Sequence, residues 1–181
     1  MGRILKLKDF EPKGSHHIFL DANILIYAFA PLANYKIQIQ EQITKFLESA
    51  RKVNASLYVT SLVLSEVYNV LLSASFDNWK ASRMTAHSLN LKKDFRPTEE
   101  FKDSTLAINS AIKNILKLAS PFPDNFNNSD AEIISKMCYY ADYNDCCFLE
   151  LAQQKNWMIF TRDNDIINHP MRTIDIITNL G

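Results

Sequence analysis

The stretch that decides the fold is His17-Ile18-Phe19-Leu20-Asp21-Ala22-Asn23-Ile24-Leu25-Ile26-Tyr27. Its three consecutive apolar residues, 18–20, are typical of a short parallel strand that is buried on both faces. Asp21 stands where this strand should end, and the apolar residues after it continue at helical spacing. Ligands of open parallel sheets bind beyond the carboxyl ends of the strands, so Asp21 is a candidate for chemistry. Asp is also a preferred helix N-cap, and capping alone explains this residue equally well.

The composition is that of one folded globular domain. The chain has 181 residues, of which 47% are apolar and 22% are charged, and this is enough for a real hydrophobic core. Lys plus Arg and Asp plus Glu number 20 each, so the formal net charge is zero. This balance argues against a protein that coats nucleic acid with a strongly basic surface. It leaves room for an enzyme that holds nucleic acid locally, through a metal ion.

The cysteines and the N-terminus indicate an intracellular environment. The three cysteines, Cys138, Cys146 and Cys147, form no CxxC pair, so neither a disulfide framework nor a structural zinc site is expected. We expect free buried thiols in a reducing compartment. The N-terminus lacks an apolar signal core, and no stretch reaches the ~18 apolar residues of a membrane span. We therefore expect a cytoplasmic protein that does not bind a membrane.

The order of predicted elements indicates an α/β fold. After the first strand and helix, we expect helices at about 36–51, 61–72, 104–119, 129–140 and 142–155. We expect strands at about 57–60, 157–161 and 172–177. Strands that alternate with helices predict a Rossmann-like three-layer α/β/α arrangement, with a central, mainly parallel sheet of four to five strands.

Two regions fall outside this regular alternation. Residues 1–16 are polar and are expected to be a leader or edge segment with little structure of its own. Residues 17–181 would then form the domain, with a long helical and loop insertion at about 73–135. Within it, residues 73–103 are weakly periodic, and we expect a loop with short helical pieces there.

Four acidic residues from separate parts of the sequence should meet at one edge of the sheet. Asp21 and Asp163 follow predicted strands directly. Helices in such a fold run antiparallel to their neighbouring strands, so their N-termini lie at the same edge. Glu66 falls in the first two turns of one helix, and Asp145 at the start of another.

Each acid also has an ordinary structural explanation. Asp145 could complete a capping box with Asp142, Asp163 and Asp165 could be turn residues, and Glu66 could pair with Arg83. Their convergence is harder to dismiss, because two carboxylates ~4 Å apart repel by about 4 kcal/mol at an effective dielectric near 20. Several together require protonation or a bridging cation, and oxygen ligands without His or Cys favour Mg²⁺ or Mn²⁺.

At this point the residues resemble the PIN-domain ribonuclease family, and in particular the VapC-type toxins of toxin–antitoxin pairs. The resemblance covers about residues 17–177. It rests on Phe19-Leu20-Asp21-Ala22-Asn23, on Glu66 in the helix after Val59-Thr60-Ser61, on Asp142-Tyr143-Asn144-Asp145 with Ala152 seven residues on, and on Ile159-Phe160-Thr161-Arg162-Asp163-Asn164-Asp165.

The resemblance implies a PIN-like fold and a set of roles. Asp21, Glu66, Asp145 and Asp163 would form an acidic quartet that holds Mg²⁺ or Mn²⁺. Asn23 and Thr161 would orient the quartet, while Asp142 and Asp165 would be peripheral. The implied reaction is hydrolysis of an RNA phosphodiester by a metal-activated water, which leaves a 5′-phosphate and a 3′-hydroxyl. A small antitoxin protein and a second copy of the chain, forming a homodimer, would be its partners.

Two other functions stay open. One is a phosphatase that uses Asp21 as a nucleophile, although the third residue of its motif would be Asn23, so a general acid is missing. The other is a non-catalytic PIN scaffold that binds RNA or a protein. Binding of Mg²⁺ or Mn²⁺ distinguishes this module from the nuclease.

Candidate contact surfaces are less well defined by the sequence. Lys92, Lys93 and Arg96, with Phe95 among them, are the best local basic patch for contact with RNA, although a solvated loop explains them better. Leu32, Trp79 and Phe95 are candidates for an exposed apolar surface that would contact an antitoxin or a second copy.

Overall fold

The sheet at the centre of the fold is formed entirely by parallel pairs. In the computed structural model, residues 1–30, 36–83, 88–124 and 126–180 are described. Within them the six strands are β1 (Ile4–Lys6), β2 (His17–Leu20), β3 (Ser56–Val59), β4 (Ser120–Pro121), β5 (Met158–Phe160) and β6 (Ile176–Thr178). Their order across the sheet is β1-β6-β5-β2-β3-β4. The predicted α/β class is confirmed, and the sheet has six strands where four to five were predicted.

The helices cover both faces of this sheet. They are α1 (Ala22–Phe29), α2 (Ile37–Lys52), α3 (Ser61–Ala81), α4 (Glu99–Leu118), α5 (Ala131–Met137), α6 (Tyr143–Lys155) and α7 (Asn164–Ile167). Phe46 of α2 packs edge-on against Phe160, with ring centroids 4.9 Å apart, and Phe148 of α6 lies 5.3 Å from Phe19. Phe19 pairs with Ile159 in the sheet, so Phe160 points to the opposite face. These contacts give the predicted three layers.

The central strands are buried because both of their faces are covered. Ile18, Phe19, Leu20, Ile159 and Phe160 have no exposed surface. This explains why their sequences read as continuous apolar runs rather than as an alternation. The sequence therefore identifies these strands correctly: β2 begins one residue before the predicted run 18–20, and β5 is one residue shorter at each end than the predicted 157–161.

The N-terminal segment has more structure than the sequence suggests. Residues 4–6 form β1, an edge strand that pairs with β6, and a short 3₁₀ turn follows at residues 7–9. The guanidinium of Arg172 is buried and donates to the carbonyl oxygens of Gly2 (2.9 Å), Ile167 (3.1 Å) and Ile174 (2.7 Å). A salt bridge between Arg3 and Asp175 adds to this attachment. An edge segment was expected here, but its strand was not.

The region at 73–103 is more helical than expected. Helix α3 continues to Ala81, a single π-helical turn forms at 91–95, and α4 begins at Glu99, five residues before the predicted start. Thr98 caps α4 by accepting a hydrogen bond from the backbone N–H of Phe101 at 3.1 Å. Residues 73–81 were wrongly expected to be a loop, because the last turns of α3 are stabilised by packing of Phe76 and Trp79 against Phe95, which is distant in the sequence. No helix among the described residues is both long and apolar enough to cross a membrane.

Candidate active site

Asp21 lies at the carboxyl edge of the sheet and its carboxylate is almost completely buried, with 3% of the residue exposed. Oδ1 accepts a hydrogen bond from the backbone N–H of Ala22 at 2.6 Å, which makes Asp21 the N-cap of α1. Oδ2 accepts from the Thr161 hydroxyl and from the Asn23 amide, both at 2.5 Å. Capping and site formation are therefore carried out by the two oxygens of one carboxylate.

Asn23 and Thr161 join the ends of the adjacent strands β2 and β5. The Thr161 hydroxyl, which donates to Asp21, accepts from the backbone N–H of Asp163 at 2.8 Å. The Asn23 side-chain oxygen accepts from the backbone N–H of Arg162 at 3.1 Å. These bonds fix the turn that carries Asp163 relative to Asp21. The orienting roles of Asn23 and Thr161 in a catalytic site stay a prediction, which these contacts make possible.

The remaining acids are supplied by helix N-termini at the same edge. Glu66 is in the second turn of α3 and Asp145 is in the first turn of α6. Asp142 caps α6 by accepting from the backbone N–H of Asp145 at 3.0 Å, and Asp163 caps α7 by accepting from that of Asp165 at 2.7 Å. Asp142 therefore acts as the helix cap of α6. The carboxylate of Asp145 is not used in capping and is available for other contacts.

The acids are close enough to raise one another's pKa values. Burial, and after it the charges of Asp142, Asp21, Asp163 and Glu66 in that order, together raise the pKa of Asp145 to about 8. Burial together with Asp21, Asp142 and Asp163 raises the pKa of Glu66 to about 7. Burial, opposed by the bond from Thr161, raises the pKa of Asp21 to about 6.

Cations near this site are engaged elsewhere. Arg83, which the sequence offered as a partner for Glu66, instead binds Glu100 at 3.0 Å and lies over the ring of Trp79. Arg162 is adjacent to Asp163, but its guanidinium donates to Asn179 at 2.9 Å and stacks over Tyr27. Among the described residues, no basic side chain contributes to the pKa shifts of Asp21, Glu66 or Asp145.

The donor set fits a hard divalent cation by its chemistry. All of the candidate ligands are carboxylate oxygens, which Mg²⁺ and Mn²⁺ prefer. Oδ1 of Asp21 accepts a single hydrogen bond and keeps a lone pair for such an ion. Within the described ranges, no three His, Cys, Asp or Glu side chains are already arranged to hold a metal ion.

Two residues that were predicted to form an exposed contact surface are buried instead. Phe95 is fully buried and Trp79 is 9% exposed, and they pack with Phe76 and Phe101 in an aromatic cluster between α3 and α4. Neither can form the apolar surface proposed for a partner. Leu32 lies outside the described residues.

The basic patch also differs from its prediction. Lys92, Lys93 and Arg96 are exposed on the π-helical turn, but the aromatic residue among them points inward and offers no stacking face to RNA. The expectation of buried thiols holds for Cys146 and fails for Cys138, which is exposed.

One further acidic residue lies near this edge, and the sequence did not predict its role. Asp124 accepts hydrogen bonds from the Ser61 hydroxyl and from the backbone N–H of Leu62, at 3.3 Å for the latter. It thereby anchors the loop after β4 to the start of the helix that carries Glu66. The sequence gives no signal for this role, because Asp124 reads as an ordinary residue of a Pro-rich loop.

Comparisons with known proteins agree with this architecture. A family model described as PIN domain matches residues 18–170. Among solved structures, VapBC2 from Rickettsia felis bound to a DNA fragment from its promoter has a TM-score of 0.52 and 14% identity, with 88% of this chain and 97% of that chain covered. At this identity the likeness shows the fold alone.

A second solved structure is similar over much of its length. PAE2754 from Pyrobaculum aerophilum has 12% identity, covers 92% of this chain and 88% of that chain, and has a TM-score of 0.46. This score is too low to support an argument. Among curated proteins, no sequence is significantly similar to this chain.

Proposed function

The chain belongs to the PIN-domain family, and on that premise we propose that it is a metal-dependent endoribonuclease that acts as the toxin of a toxin–antitoxin pair. The observation that carries this proposal is the set of acids at the carboxyl edge of the sheet. Three of them have raised pKa values because they are shielded from water and repel one another. Such a cluster is costly in the protein alone, and a divalent cation removes the cost.

We assign the ion mainly to Asp21 and Asp145, with Glu66 and Asp163 completing its ligands or holding a second ion. When bound, Mg²⁺ or Mn²⁺ lowers the pKa of a water and neutralises charge on the phosphodiester. The role of the chain is to hold these acids in place. The Asn23 amide and the Thr161 hydroxyl hold Oδ2 of Asp21, and Oδ1, which caps α1, keeps a lone pair for the ion.

The peripheral acids act through the backbone. Asp142 and Asp165 lie at the starts of α6 and α7, and Asp142 fixes the first turn of the helix that presents Asp145. Exposed Lys92, Lys93 and Arg96 supply positive charge for contact with phosphates away from the reacting centre.

The nuclease is favoured over an Asp-nucleophile phosphatase by the surroundings of Asp21. Its carboxylate is buried, and both of its oxygens already accept hydrogen bonds. A nucleophile would need an exposed oxygen aligned with the phosphorus atom. Ligation of an ion needs only the remaining lone pair on Oδ1.

We further propose a small antitoxin protein and a second copy of this chain as partners. The fold similarity to VapBC2 supports the antitoxin. Mixing with a candidate antitoxin, followed by light scattering of the chain and of the mixture, tests both partners, because a homodimer and a hetero-complex have different masses. A chain that is monomeric and does not bind the antitoxin would refute both assignments.

The function itself is tested with RNA. Incubation of total RNA with the purified chain, with Mg²⁺ or Mn²⁺ and with a chelator, should give metal-dependent fragments that end in 5′-phosphate and 3′-hydroxyl. Asp145→Asn should abolish cleavage, because it removes one of the two main ligands. Glu132→Gln is the matched control, since Glu132 is an exposed acid that pairs with Lys136 on α5.

Two results would contradict the proposal. Full cleavage by Asp145→Asn would show that this carboxylate is not needed. Calorimetry that detects no Mg²⁺ or Mn²⁺ binding to the folded wild type would instead favour the non-catalytic binding module.

A further inference from the structure

The three cysteines of the chain lie where α5 turns back into α6. Cys138 is the C-cap of α5, and Cys146 and Cys147 are near the start of α6. The thiols of Cys138 and Cys146 share a side-chain hydrogen bond, whereas the thiol of Cys147 is bonded to the hydroxyl of Tyr143. One pair of thiols is therefore in direct contact across the reversal of the chain.

The two thiols of this pair differ in their access to solvent. Cys138 is exposed, whereas Cys146 has no exposed surface. The thiol of Cys146 also lies 3.8 Å from the carbonyl oxygen of Ala141. A small oxidant in solution reaches Cys138 but not Cys146. When an accessible thiol is oxidised beside a second thiol, the two condense to a disulfide.

The fold holds both members of the pair in place. The backbone N–H groups of Cys138 and Cys146 complete helical hydrogen bonds of 2.9 and 3.0 Å. The buried ring of His169 bonds the carbonyl oxygen of Met137 at 3.1 Å and so fixes the end of α5. The contact between the two thiols is therefore a property of the packed helix pair.

We propose that Cys138 and Cys146 are a redox-sensitive pair that hydrogen peroxide converts to a disulfide, and that this disulfide displaces Asp145 and weakens binding of the divalent ion. The peroxide oxidises Cys138 to a sulfenic acid and is itself reduced to water. The sulfur of Cys146 then attacks the sulfur of Cys138. The S–S bond forms as the S–O bond breaks, and the hydroxyl leaves with the thiol proton of Cys146 as a second water.

The position of Cys146 connects its oxidation to the acids. Cys146 directly follows Asp145, and Asp142, which caps the same turn of α6, lies between the two cysteines. A covalent bond brings two sulfur atoms closer together than a hydrogen bond does. Because His169 holds the end of α5, the first turn of α6 shifts when the bond forms, and Asp145 shifts with it. This second part of the inference rests on the proposed metal-dependent function, and the disulfide itself does not.

The disulfide is tested by mass spectrometry of the folded chain after treatment with peroxide. The wild type should lose about 2 Da, the mass of two hydrogen atoms, and regain them in dithiothreitol. Proteolytic peptides should link Cys138 to Cys146. Cys138→Ser should prevent the loss, while Cys147→Ser is the matched control and should not. Cys146→Ala should stop at the sulfenic acid of Cys138, which dimedone labels.

Three results would overturn the redox pair. They are a disulfide that links Cys138 to Cys147 instead, a disulfide that forms only between two copies of the chain, and a wild type that is oxidised to sulfinic acid without any disulfide. Each would show that the thiol of Cys146 does not react with that of Cys138.

The effect on the acids is measured by calorimetry with Mn²⁺ and by cleavage of RNA. The oxidised wild type should bind Mn²⁺ about 10- to 100-fold more weakly than the reduced wild type, because a ligand is held out of place. Cleavage should fall by about 100-fold for a displacement of about 1 Å. Cys138→Ser treated with peroxide should match the reduced wild type in both assays, since it cannot form the disulfide.

The outcomes distinguish this inference from the proposed function. If the disulfide forms and Mn²⁺ binding is unchanged, the displacement of Asp145 is refuted. An equal loss of Mn²⁺ binding in peroxide-treated Cys138→Ser would also refute it, because the loss would come from oxidation elsewhere. A reduced wild type that neither binds Mn²⁺ nor cuts RNA would overturn the proposed function, whereas a reduced wild type that cuts RNA but forms no disulfide would overturn the redox pair alone.

Discussion

Neutralising one acid of the site should stabilise the metal-free protein. Asp145→Asn removes a carboxyl whose pKa rises from its ordinary value of 3.8 to about 8 in the fold. A fully shielded carboxyl with this change would cost about 6 kcal/mol of stability at high pH. Asp145 is only partly buried, so screening by water reduces this to about 1–3 kcal/mol.

The sign of the pH dependence follows from proton binding. Between about pH 4 and pH 8 the folded chain keeps the proton on Asp145 while the unfolded chain has lost it. The stability of the wild type therefore falls as the pH rises through this range, and levels off above it. The Asn variant lacks this contribution, so its advantage should be absent near pH 4 and greatest above about pH 8.

The assay is urea unfolding in chelator at several pH values, with thermal melts as a second measure. For a chain of this size, the advantage at high pH corresponds to about 3–10 °C in melting temperature. Mn²⁺ should remove the stability advantage of the Asn variant, because the ion stabilises the wild type more than the variant. Glu132→Gln should show neither effect. An Asn variant that is no more stable than the wild type at high pH would refute the view that these acids repel one another.

Three further outcomes are expected. Thr161→Val should lower stability by about 1–3 kcal/mol and reduce cleavage, because a buried oxygen of Asp21 loses one of its two donors, whereas Thr161→Ser should preserve both properties in unfolding and cleavage assays. Arg172→Met should cost about 2–5 kcal/mol and speed hydrogen exchange in β1, since buried carbonyl groups lose their donor. Mg²⁺ affinity measured by calorimetry should rise between about pH 6 and pH 9, because protons on Glu66 and Asp145, with pKa values of about 7 and 8, compete with the ion.

The central part of the fold could be predicted because strands that are buried on both faces have continuous apolar sequences. The apolar runs that end at Leu20 and Phe160 permit few structures other than inner strands of a parallel sheet. Once the strands are placed, the handedness and order of their connections fix which helix ends share an edge. The neighbourhood of Asp21, Glu66 and Asp145 follows from topology rather than from any local pattern.

The edges of the sheet could not be predicted in this way. Strand β1 is three residues long, and it is held by β6 and Arg172, which lie about 170 positions away in the sequence. Strand β4 has two residues and includes Pro121, which normally argues against a strand. Phe95 seemed exposed because its neighbours are charged, yet it completes a cluster with Trp79 that forms only when α3 and α4 pack together. In each case the deciding contact is distant in sequence.

The two explanations offered for the acids from the sequence prove to be compatible. An oxygen that caps a helix keeps a second lone pair, so Oδ1 of Asp21 can cap α1 and also bind an ion, while Thr161 and Asn23 hold Oδ2 in place. Helix N-termini meet at this edge for topological reasons, and Asp residues are favoured there for capping. The fold therefore gathers acids at one edge as a consequence of stabilising its helices. What capping does not explain is the partial burial of Glu66 and Asp145 among other acids, and this clustering of carboxyl groups is the feature on which the proposed cation site rests.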